Sequence, residues 1–186
     1  MMQLNTLSMV HDFLNQNIRP GALCIDATAG KGRDTALLCR LAGRSGRVLA
    51  FDIQEKAVSR TRALLAAEGL CADVILDSHA NMERYAEAGS VDCVVFNLGR
   101  LPGGDPHIFT RADSSVAAIG AGLRLLRPGG VMAIALYYGK ENGYEEKAAV
   151  LKYLKTLDDR VFSVLCCDWA NRRGDPPMPV FIWKER

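Results

Sequence analysis

The feature that most constrains this chain is the segment CIDATAGKGRDT at residues 24–35. An apolar run ends at Asp26, two glycines follow at Gly30 and Gly32, and a run with helical composition begins directly afterwards. Ligands of doubly wound α/β folds collect in the crevice outside the carboxyl ends of the strands. Glycines at such a turn let the backbone approach a ligand without a Cβ in the way. The segment therefore predicts a strand, a ligand-binding loop and a helix.

The glycine spacing and the charge of this segment indicate which cofactor fits. The dinucleotide fingerprint G-x-G-x-x-G has a third glycine that allows close helix packing beside a pyrophosphate. Here the third position is Thr35, and Asp26 lies where a diphosphate would sit. A sulfonium cofactor with an ammonium group tolerates this carboxylate, because opposite charges attract in a partly desolvated cleft. We therefore expect S-adenosylmethionine; the alternative is a plain strand-to-helix loop at Gly30 and Gly32.

Two further predicted strands also end in acids. The second ends at Asp52, the position at which such folds hold ribose hydroxyls, and Gln54 lies in reach. The third ends at Asp77, and Ser78 and His79 follow. These three side chains provide the donors and acceptors that an adenine edge requires. Taken singly, Asp77 is also a helix-capping candidate, and His79 is also an ordinary surface histidine.

Length and composition indicate an ordinary globular chain. With 186 residues, 49% hydrophobic and 24% charged, it fits one domain over residues 1–186. A net charge of +2 does not by itself argue for nucleic acid. The six cysteines form no C-x-x-C pair, so we expect reduced thiols and no metal. No apolar stretch approaches the roughly 20 residues that cross a bilayer and no signal core is present, so we expect a cytoplasmic protein without membrane contact.

Apolar periodicity alternates between helix and strand along the chain. Helices are predicted over 7–17, 33–41, 55–68, 113–126 and 144–157, and strands over 22–25, 47–52, 72–77, 91–97, 131–137, 161–169 and 180–183. Strands that alternate with helices specify a mostly parallel sheet that is covered on both faces. We therefore predict the α/β class, with a Rossmann-like, doubly wound, seven-stranded sheet and helices on both faces.

The fourth predicted strand ends in Asn97-Leu98-Gly99 and carries the predicted chemistry. An amide oxygen accepts a hydrogen bond from an amine N–H and thereby aims the nitrogen lone pair at a methyl donor. Methyl transfer depends on positioning and a dry cleft more than on strong acids or bases. We expect Asn97 to orient an acceptor amine, with Asp26 or a water as the proton acceptor. The alternative is a turn with asparagine in an Asx geometry.

Seven groups of residues resemble the bacterial class I methyltransferases that are known as rRNA methylases. They are His11-Asp-Phe-Leu14, Asp26-Ala-Thr with Gly30-x-Gly32-x-Asp34-Thr35, Phe51-Asp-Ile-Gln-Glu55, Asp77-Ser-His79, Phe96-Asn-Leu-Gly99 with Leu101-Pro102, Tyr137-Tyr-Gly139 and Pro176-Pro177. The resemblance covers essentially the whole chain. It implies a class I methyltransferase fold and S-adenosylmethionine as cofactor. For family members with an assigned activity, it implies methylation of the aminomethyl group on the wobble uridine of tRNA, which gives 5-methylaminomethyl-(2-thio)uridine.

The resemblance and the residues together define the candidate cofactor site. Its members are Asp26, Ala27, Gly30, Lys31, Gly32, Asp34, Thr35, Asp52, Ile53, Gln54, Asp77, Ser78, His79 and Asn97. Four residues depart from what such methylases usually carry at these positions, namely Lys31, Arg33, Lys140 and Gly174. Cofactor binding tolerates these changes because backbone groups of the loop do much of the binding, whereas Lys140 and Gly174 bear on the choice of substrate.

Most candidate contacts to the anticodon region of tRNA lie in the second half of the chain, and one lies near its start. The candidate substrate-binding residues are His11, Arg100, Tyr138, Lys140, Arg172 and Arg173. Lys184 and Arg186 are further candidates, and Tyr138, Tyr144 and Trp169 are available to stack an extruded base. Solvated surface charge is the alternative for each cation. A homodimer fits the resemblance, while an rRNA or small-amine methyltransferase and a non-catalytic binding module remain alternative functions.

Overall fold

The structure is a computed structural model that describes residues 4–99, 110–139 and 143–186. Helices and strands alternate along these residues, with one 3₁₀ helix, His79–Arg84, after the third strand. The α-helices are α1 Thr6–Asn17, α2 Arg33–Ala42, α3 Glu55–Ala67, α4 Ala112–Leu125 and α5 Gly143–Leu154. The strands are β1 Leu23–Asp26, β2 Arg47–Asp52, β3 Asp73–Leu76, β4 Val91–Leu98, β5 Leu126–Leu136, β6 Phe162–Cys166 and β7 Met178–Lys184.

These seven strands form one sheet in the order β3-β2-β1-β4-β5-β7-β6. The strands β1 to β5 pair in parallel, and β7 is antiparallel to both of its neighbours. The direction of the strand order reverses between β1 and β4, which is the position where doubly wound folds bind ligands. The predicted α/β fold with a mostly parallel, seven-stranded sheet is confirmed.

Helices cover both faces of this sheet, as predicted. On one face, α1, α2 and α3 contribute Val10, Leu38 and Val58 to one apolar core. On the other face, α4 and α5 contribute Ile119 and Val150 to a second core. The central strands are apolar along nearly their whole length because a parallel sheet is buried on both sides. No helix within the described ranges is long and apolar enough to span a membrane.

The largest difference from the sequence prediction is the start of β5. The sequence predicts a helix over 113–126 and a strand over 131–137, with Arg127-Pro-Gly-Gly130 as a turn between them, but the structure begins β5 at Leu126. Leu126 pairs with Val91, and the register shifts before Val131 pairs with Cys93. Tertiary pairing with β4 therefore outweighs the local stop signal. At the C-terminal hairpin, β6 is shorter than predicted and β7 is longer.

Candidate active site

A cavity of about 690 Å³ opens at the carboxyl edge of the parallel strands. Its volume falls in the range of small-molecule sites, roughly 300–1,000 Å³. We call its lining residues between positions 27 and 79 the β1–β3 half, because they follow the ends of these strands. Its lining residues between positions 97 and 146 are the β4–β5 half, which also includes residues from the starts of α4 and α5.

Most of the predicted cofactor residues line this cavity. Those at its wall are Ala27, Gly30, Lys31, Asp34, Asp52, Ile53, Gln54, Asp77, Ser78, His79 and Asn97. Among the predicted substrate residues, Tyr138 also lines it. Arg100 and Lys140 lie outside the described residues. The predicted cofactor residues therefore lie together at the carboxyl edge of the sheet.

The loop after β1 is held against its neighbours by backbone groups. The Ala29 N–H donates to the Phe51 carbonyl at 2.8 Å, and Gly30 and Gly32 adopt left-handed backbone angles with φ of 55° and 78°. A Cβ on Gly32 would lie 3.0 Å from the Thr61 Cα, so the loop also needs glycine there for close packing on α3. Gly32 thus shapes the loop and does not line the cavity.

Asp52 is fixed at the cavity wall by two backbone donors. Its Oδ2 accepts from the Gly30 N–H and its Oδ1 from the Gln54 N–H, both at 2.9 Å. A carboxylate offers about four lone-pair positions, so two remain for a ligand. The side chain of Ile53 beside it is 57% exposed and gives this part of the wall an apolar surface. The arrangement fits a sugar hydroxyl pair next to a flat apolar ring.

The end of β3 provides the polar edge of the same half. The Asp77 carboxylate accepts from the Asn81 side chain, the Tyr85 hydroxyl and the Ser78 N–H, and these bonds lower its pKa. Ser78, not Asp77, caps the 3₁₀ helix, by accepting from the Ala80 N–H. Burial lowers the pKa of His79. At neutral pH this part of the wall therefore carries one fixed negative charge and a neutral imidazole.

Asp26 does not occupy the position that the sequence predicted. Its carboxylate is fully buried, accepts from the Thr28 N–H at 3.1 Å and the Thr35 hydroxyl at 2.6 Å, and does not line the cavity. Burial and the neighbouring Asp34 raise its pKa to about 7. The expectation that Asp26 takes a proton directly from the substrate is therefore corrected: Asp26 and Thr35 hold the loop from behind.

A chain of three side chains connects the cavity to the other side of its wall. The amide Nδ2 of Asn97 donates to Asp34 Oδ2 at 2.5 Å, and His11 Nε2 contacts Asp34 Oδ1 at 2.6 Å. Because a carboxylate oxygen accepts from an N–H, the Asn97 amide nitrogen faces Asp34, and no described residue donates to the Asn97 amide oxygen. His11 lies outside the cavity and contacts Asp34 from the outer side, so its role as a substrate contact stays a prediction.

His11 lines a second, basic groove on the outer side of α2. This groove, of about 720 Å³, is bordered by Lys31, Arg33, Arg40 and Arg60 and by one acid, Glu68, which pairs with Arg40. Lys31 and Arg33 border both the groove and the cavity. Positive charge therefore continues from the outer surface to the cavity opening.

Most of the residues that line the β4–β5 half were not predicted from the sequence. Tyr137, Thr110, Ser114 and Glu146 line it but were not predicted as site residues. Glu146 is 2% exposed and accepts a hydrogen bond from the Ser115 hydroxyl. The motif that contains Tyr137 was the available signal for that residue, whereas Glu146 has an identical neighbour, Glu145, and only helix packing distinguishes the two.

The predicted RNA contacts are divided between the two edges of the sheet. Arg172 lies over the Trp169 ring, 3.6 Å from its centroid, and donates to the Leu4 carbonyl. It is exposed, as is Arg173, in the loop that leads to β7. Lys184 instead donates to the Leu126 carbonyl at 2.6 Å, at the start of β5 and thus at the edge opposite the cavity. Lys184 therefore does not cluster with the exposed cations near the cavity.

Comparison with solved structures defines the class of protein. A SAM-dependent O-methyltransferase of Thermotoga maritima superposes with a TM-score of 0.66 at 18% identity, covering 99% of this chain and 67% of that one. A likeness at this identity concerns the fold alone. Together with the strand order and the cavity at the switch point, it places the chain in the fold class of SAM-dependent methyltransferases.

The family is shown by closer matches. The model of the family described as "Putative rRNA methylase" matches residues 48–183, and the chain belongs to this family. A Clostridium thermocellum protein described as "putative rRNA-methylase" superposes with a TM-score of 0.95 at 39% identity, covering 99% of this chain and 100% of that one. A Streptococcus mutans protein described as "a putative methyltransferase", in complex with SAH, superposes with a TM-score of 0.89 at 36% identity, covering 98% of this chain and 99% of that one. The chloroplastic tRNA (mnm(5)s(2)U34)-methyltransferase of Arabidopsis thaliana is 34% identical over 95% of this chain and 68% of its own length.

Proposed function

We propose that this protein transfers a methyl group from S-adenosylmethionine to the primary amine of a 5-aminomethyl group on the wobble uridine of tRNA. The observation that carries the proposal is the Asn97 amide at the cavity wall, fixed through its nitrogen on Asp34 so that its oxygen is left to accept from an amine. The activity named for the Arabidopsis relative supports the choice of tRNA and of this nucleoside.

The β1–β3 half fits the cofactor. Asp52 keeps lone pairs for ribose hydroxyls after binding the loop, Ile53 supplies an apolar surface for adenine, and Asp77 and Ser78 supply a polar edge. The buried Asp26 lies directly behind the loop. When bound, S-adenosylmethionine supplies a methyl group on a positively charged sulfonium. Carboxylates around such a group are favourable because the attraction is little screened in a cleft that excludes water.

The β4–β5 half orients the acceptor. Asn97 accepts an N–H of the amine, which turns the nitrogen lone pair toward the methyl group. Tyr137 and Tyr138 give the wall two aromatic side chains, and flat rings of this kind stack an RNA base that leaves its helix. No strong nucleophile is required because the acceptor amine is itself the nucleophile, so positioning and exclusion of water supply most of the rate.

Exposed cations near the cavity support a macromolecular substrate. Lys31 and Arg33 border both the cavity and the basic groove, and Arg172 and Arg173 lie in the loop before β7. Phosphate groups of RNA bind such clusters through a salt-dependent, sequence-independent attraction. We infer that the anticodon stem follows this positive surface while the wobble base enters the cavity. The roles of Arg100 and Lys140 as further contacts stay predictions.

Nucleoside analysis of tRNA tests the proposal. Total tRNA from cells that lack the gene is digested and measured by mass spectrometry, beside cells complemented with the wild type or with Asn97→Ala. We expect 5-aminomethyluridine-type nucleosides to accumulate in the deletion and in the Asn97→Ala strain, and to disappear with the wild type. Unchanged tRNA with a missing rRNA methyl group would favour the rRNA function instead, and purified protein with labelled cofactor and either RNA separates the two directly.

Two further expectations accompany this proposal. We expect the protein to act in the compartment where tRNA is modified, the cytoplasm in a bacterial cell, although the Arabidopsis relative is named as chloroplastic. A homodimer is expected from the family resemblance. Sedimentation velocity of the purified protein checks the dimer, and a single species with a mass near 20.3 kDa would contradict it.

A further inference from the structure

One buried carboxylate at the cavity takes no part in the methyl transfer proposed for this site. Glu146 lies in the first turn of α5, is 2% exposed and lines the β4–β5 half. Its side chain accepts from the Ser115 hydroxyl of α4. Among the described residues, none of the ion pairs includes Glu146. The nearest cation along the helix, Lys147, instead lies over the Tyr138 ring, 3.5 Å from its centroid.

A buried carboxylate without a cation is costly. Moving an ionised carboxylate out of water disfavours the charged form strongly, and buried charges in proteins are normally paired or bound to metal. A serine hydroxyl supplies one hydrogen bond but no opposite charge. No group of three His, Cys, Asp or Glu that could hold a metal ion occurs within the part of the chain that the structure describes. Within the described residues, the Glu146 carboxylate therefore has lone pairs left, beyond its bond to Ser115, for a hydrogen-bond donor or cation that enters through the cavity.

We propose that Glu146, supported by Ser115, forms a binding site for a primary alkylammonium group, and that this group is the aminomethyl substituent of the acceptor. The inference rests on the proposed function and adds what that site recognises. An alkylammonium carries three N–H donors and matches a carboxylate in charge and hydrogen bonding. Charge-assisted bonds of this kind are worth roughly 1.5–3 kcal/mol.

The site also explains which acceptors are excluded. A uridine with hydrogen or an uncharged group at position 5 leaves the Glu146 charge unpaired. An acceptor that carries a carboxylate on its amine brings a like charge to the same place. Both arrangements disfavour binding, because specificity comes from unpaired or repelling groups as much as from attraction. The Glu146–Ser115 pair therefore selects for the unsubstituted aminomethyl group. The bound ammonium gives one proton to the Glu146 carboxylate, and the neutral amine that results donates an N–H to Asn97 and presents its lone pair to the methyl group.

Binding of synthetic anticodon stem-loops tests this site separately from turnover. Two RNAs that differ only at the wobble position, 5-aminomethyluridine or uridine, are titrated against full-length protein saturated with S-adenosylhomocysteine, with fluorescence anisotropy as the readout. We expect the wild type to bind the aminomethyl RNA roughly 10- to 100-fold more tightly. Glu146→Gln removes this preference, and Ser115→Ala reduces it. The matched control is Glu145→Gln, an exposed neighbour on the same helix turn, which keeps it.

The outcomes separate this inference from the proposed function. If Glu146→Gln keeps the wild-type preference, the ammonium site is overturned, and an enzyme that still methylates the aminomethyl RNA leaves the proposed function standing. If the wild type neither prefers nor methylates the aminomethyl RNA, both are overturned. Thermal melting of each variant checks folding, and if Glu146→Gln is unfolded, Ser115→Ala decides the question: an unchanged preference in Ser115→Ala then counts against the site.

Discussion

The two halves of the cavity are built in different ways. In the β1–β3 half, short loops directly after the strands position the polar groups, and backbone N–H groups of Gly30 and Gln54 hold Asp52 in place. In the β4–β5 half, long helix side chains such as Glu146 reach the cavity, and side chains hold one another, as Ser115 holds Glu146. The half of the cavity that backbone hydrogen bonds fix tolerates changes of sequence. In the half that side chains fix, single substitutions can change which ligand binds.

We expect the largest effect from a substitution in the β1–β3 half. Asp52→Ala removes the ribose acceptor and leaves the Gly30 and Gln54 N–H groups without their partner. Each lost bond to a charged group costs roughly 1.5–3 kcal/mol, so the dissociation constant for S-adenosylhomocysteine rises about 100-fold. Isothermal titration calorimetry measures this change. Asp73→Ala, an exposed acid on β3, is the control and stays at wild-type affinity; equal affinities in both variants would contradict the assigned role of Asp52.

The second prediction distinguishes the orientation of the acceptor amine from the binding of the RNA. Asn97→Ala removes the amide that faces the acceptor, and a small loss of alignment costs about 100-fold in rate. We expect the single-turnover rate of methyl transfer to fall by this order while the affinity for the stem-loop changes little. Asn17→Ala, at the end of α1 and away from the cavity, serves as the control. A rate for Asn97→Ala equal to the wild type would remove the orienting role.

A smaller effect is expected at the rim of the cavity. Arg172→Ala combined with Arg173→Ala removes two exposed cations, so the dissociation constant of the stem-loop rises about 10-fold. The number of counter-ions released on binding, which sets the salt dependence, falls by about two. Cofactor affinity stays unchanged. The control pair Arg44→Ala and Arg160→Ala removes two exposed cations at the opposite edge of the sheet. If both pairs weaken RNA binding equally, the effect reports net charge and not this rim.

The smallest effect on function is expected at Asp26, where stability changes instead. The folded protein raises the pKa of Asp26 to about 7 from the ordinary 3.8. Between about pH 4 and pH 7 the folded state therefore keeps a proton that the unfolded chain has released, so the free energy of unfolding falls as pH rises through this window. Asp26→Asn removes that slope, and the exposed Asp12→Asn retains it. Urea unfolding at several pH values measures the slope; identical slopes in both variants would contradict the assignment.

The difference between the halves also decides what the sequence could predict. Asp52 and Asp77 each stand at the end of an apolar run, so a local pattern gives both their element and their position at the edge. Glu146 follows Glu145 in a helix whose apolar and polar faces are poorly separated. The burial of Glu146 depends on contact with α4, which is distant in sequence. Its role therefore becomes visible only when the two helices are packed.

Asp26 shows a further limit of local patterns. The sequence identifies an acid at the end of β1 but contains no information on whether the carboxylate faces the cavity or the loop behind it. The Thr35 hydroxyl, nine residues later, settles this by binding it from the inside. In the same way, the pairing of Leu126 with Val91 starts β5 ahead of a glycine pair that by itself indicates a turn.

The reversed direction of β7 has a consequence for how such proteins diversify. Because β7 runs antiparallel to β5, its first residue, Met178, pairs with Leu136 at the cavity edge of the sheet. The connection before it returns to that edge, where a Cβ on Gly139 would lie only 2.6 Å from the Asp175 Cβ. Evolution can thus exchange or lengthen this one hairpin connection and present a new surface to incoming RNA, while the core sheet and the methyl-donor pocket stay untouched.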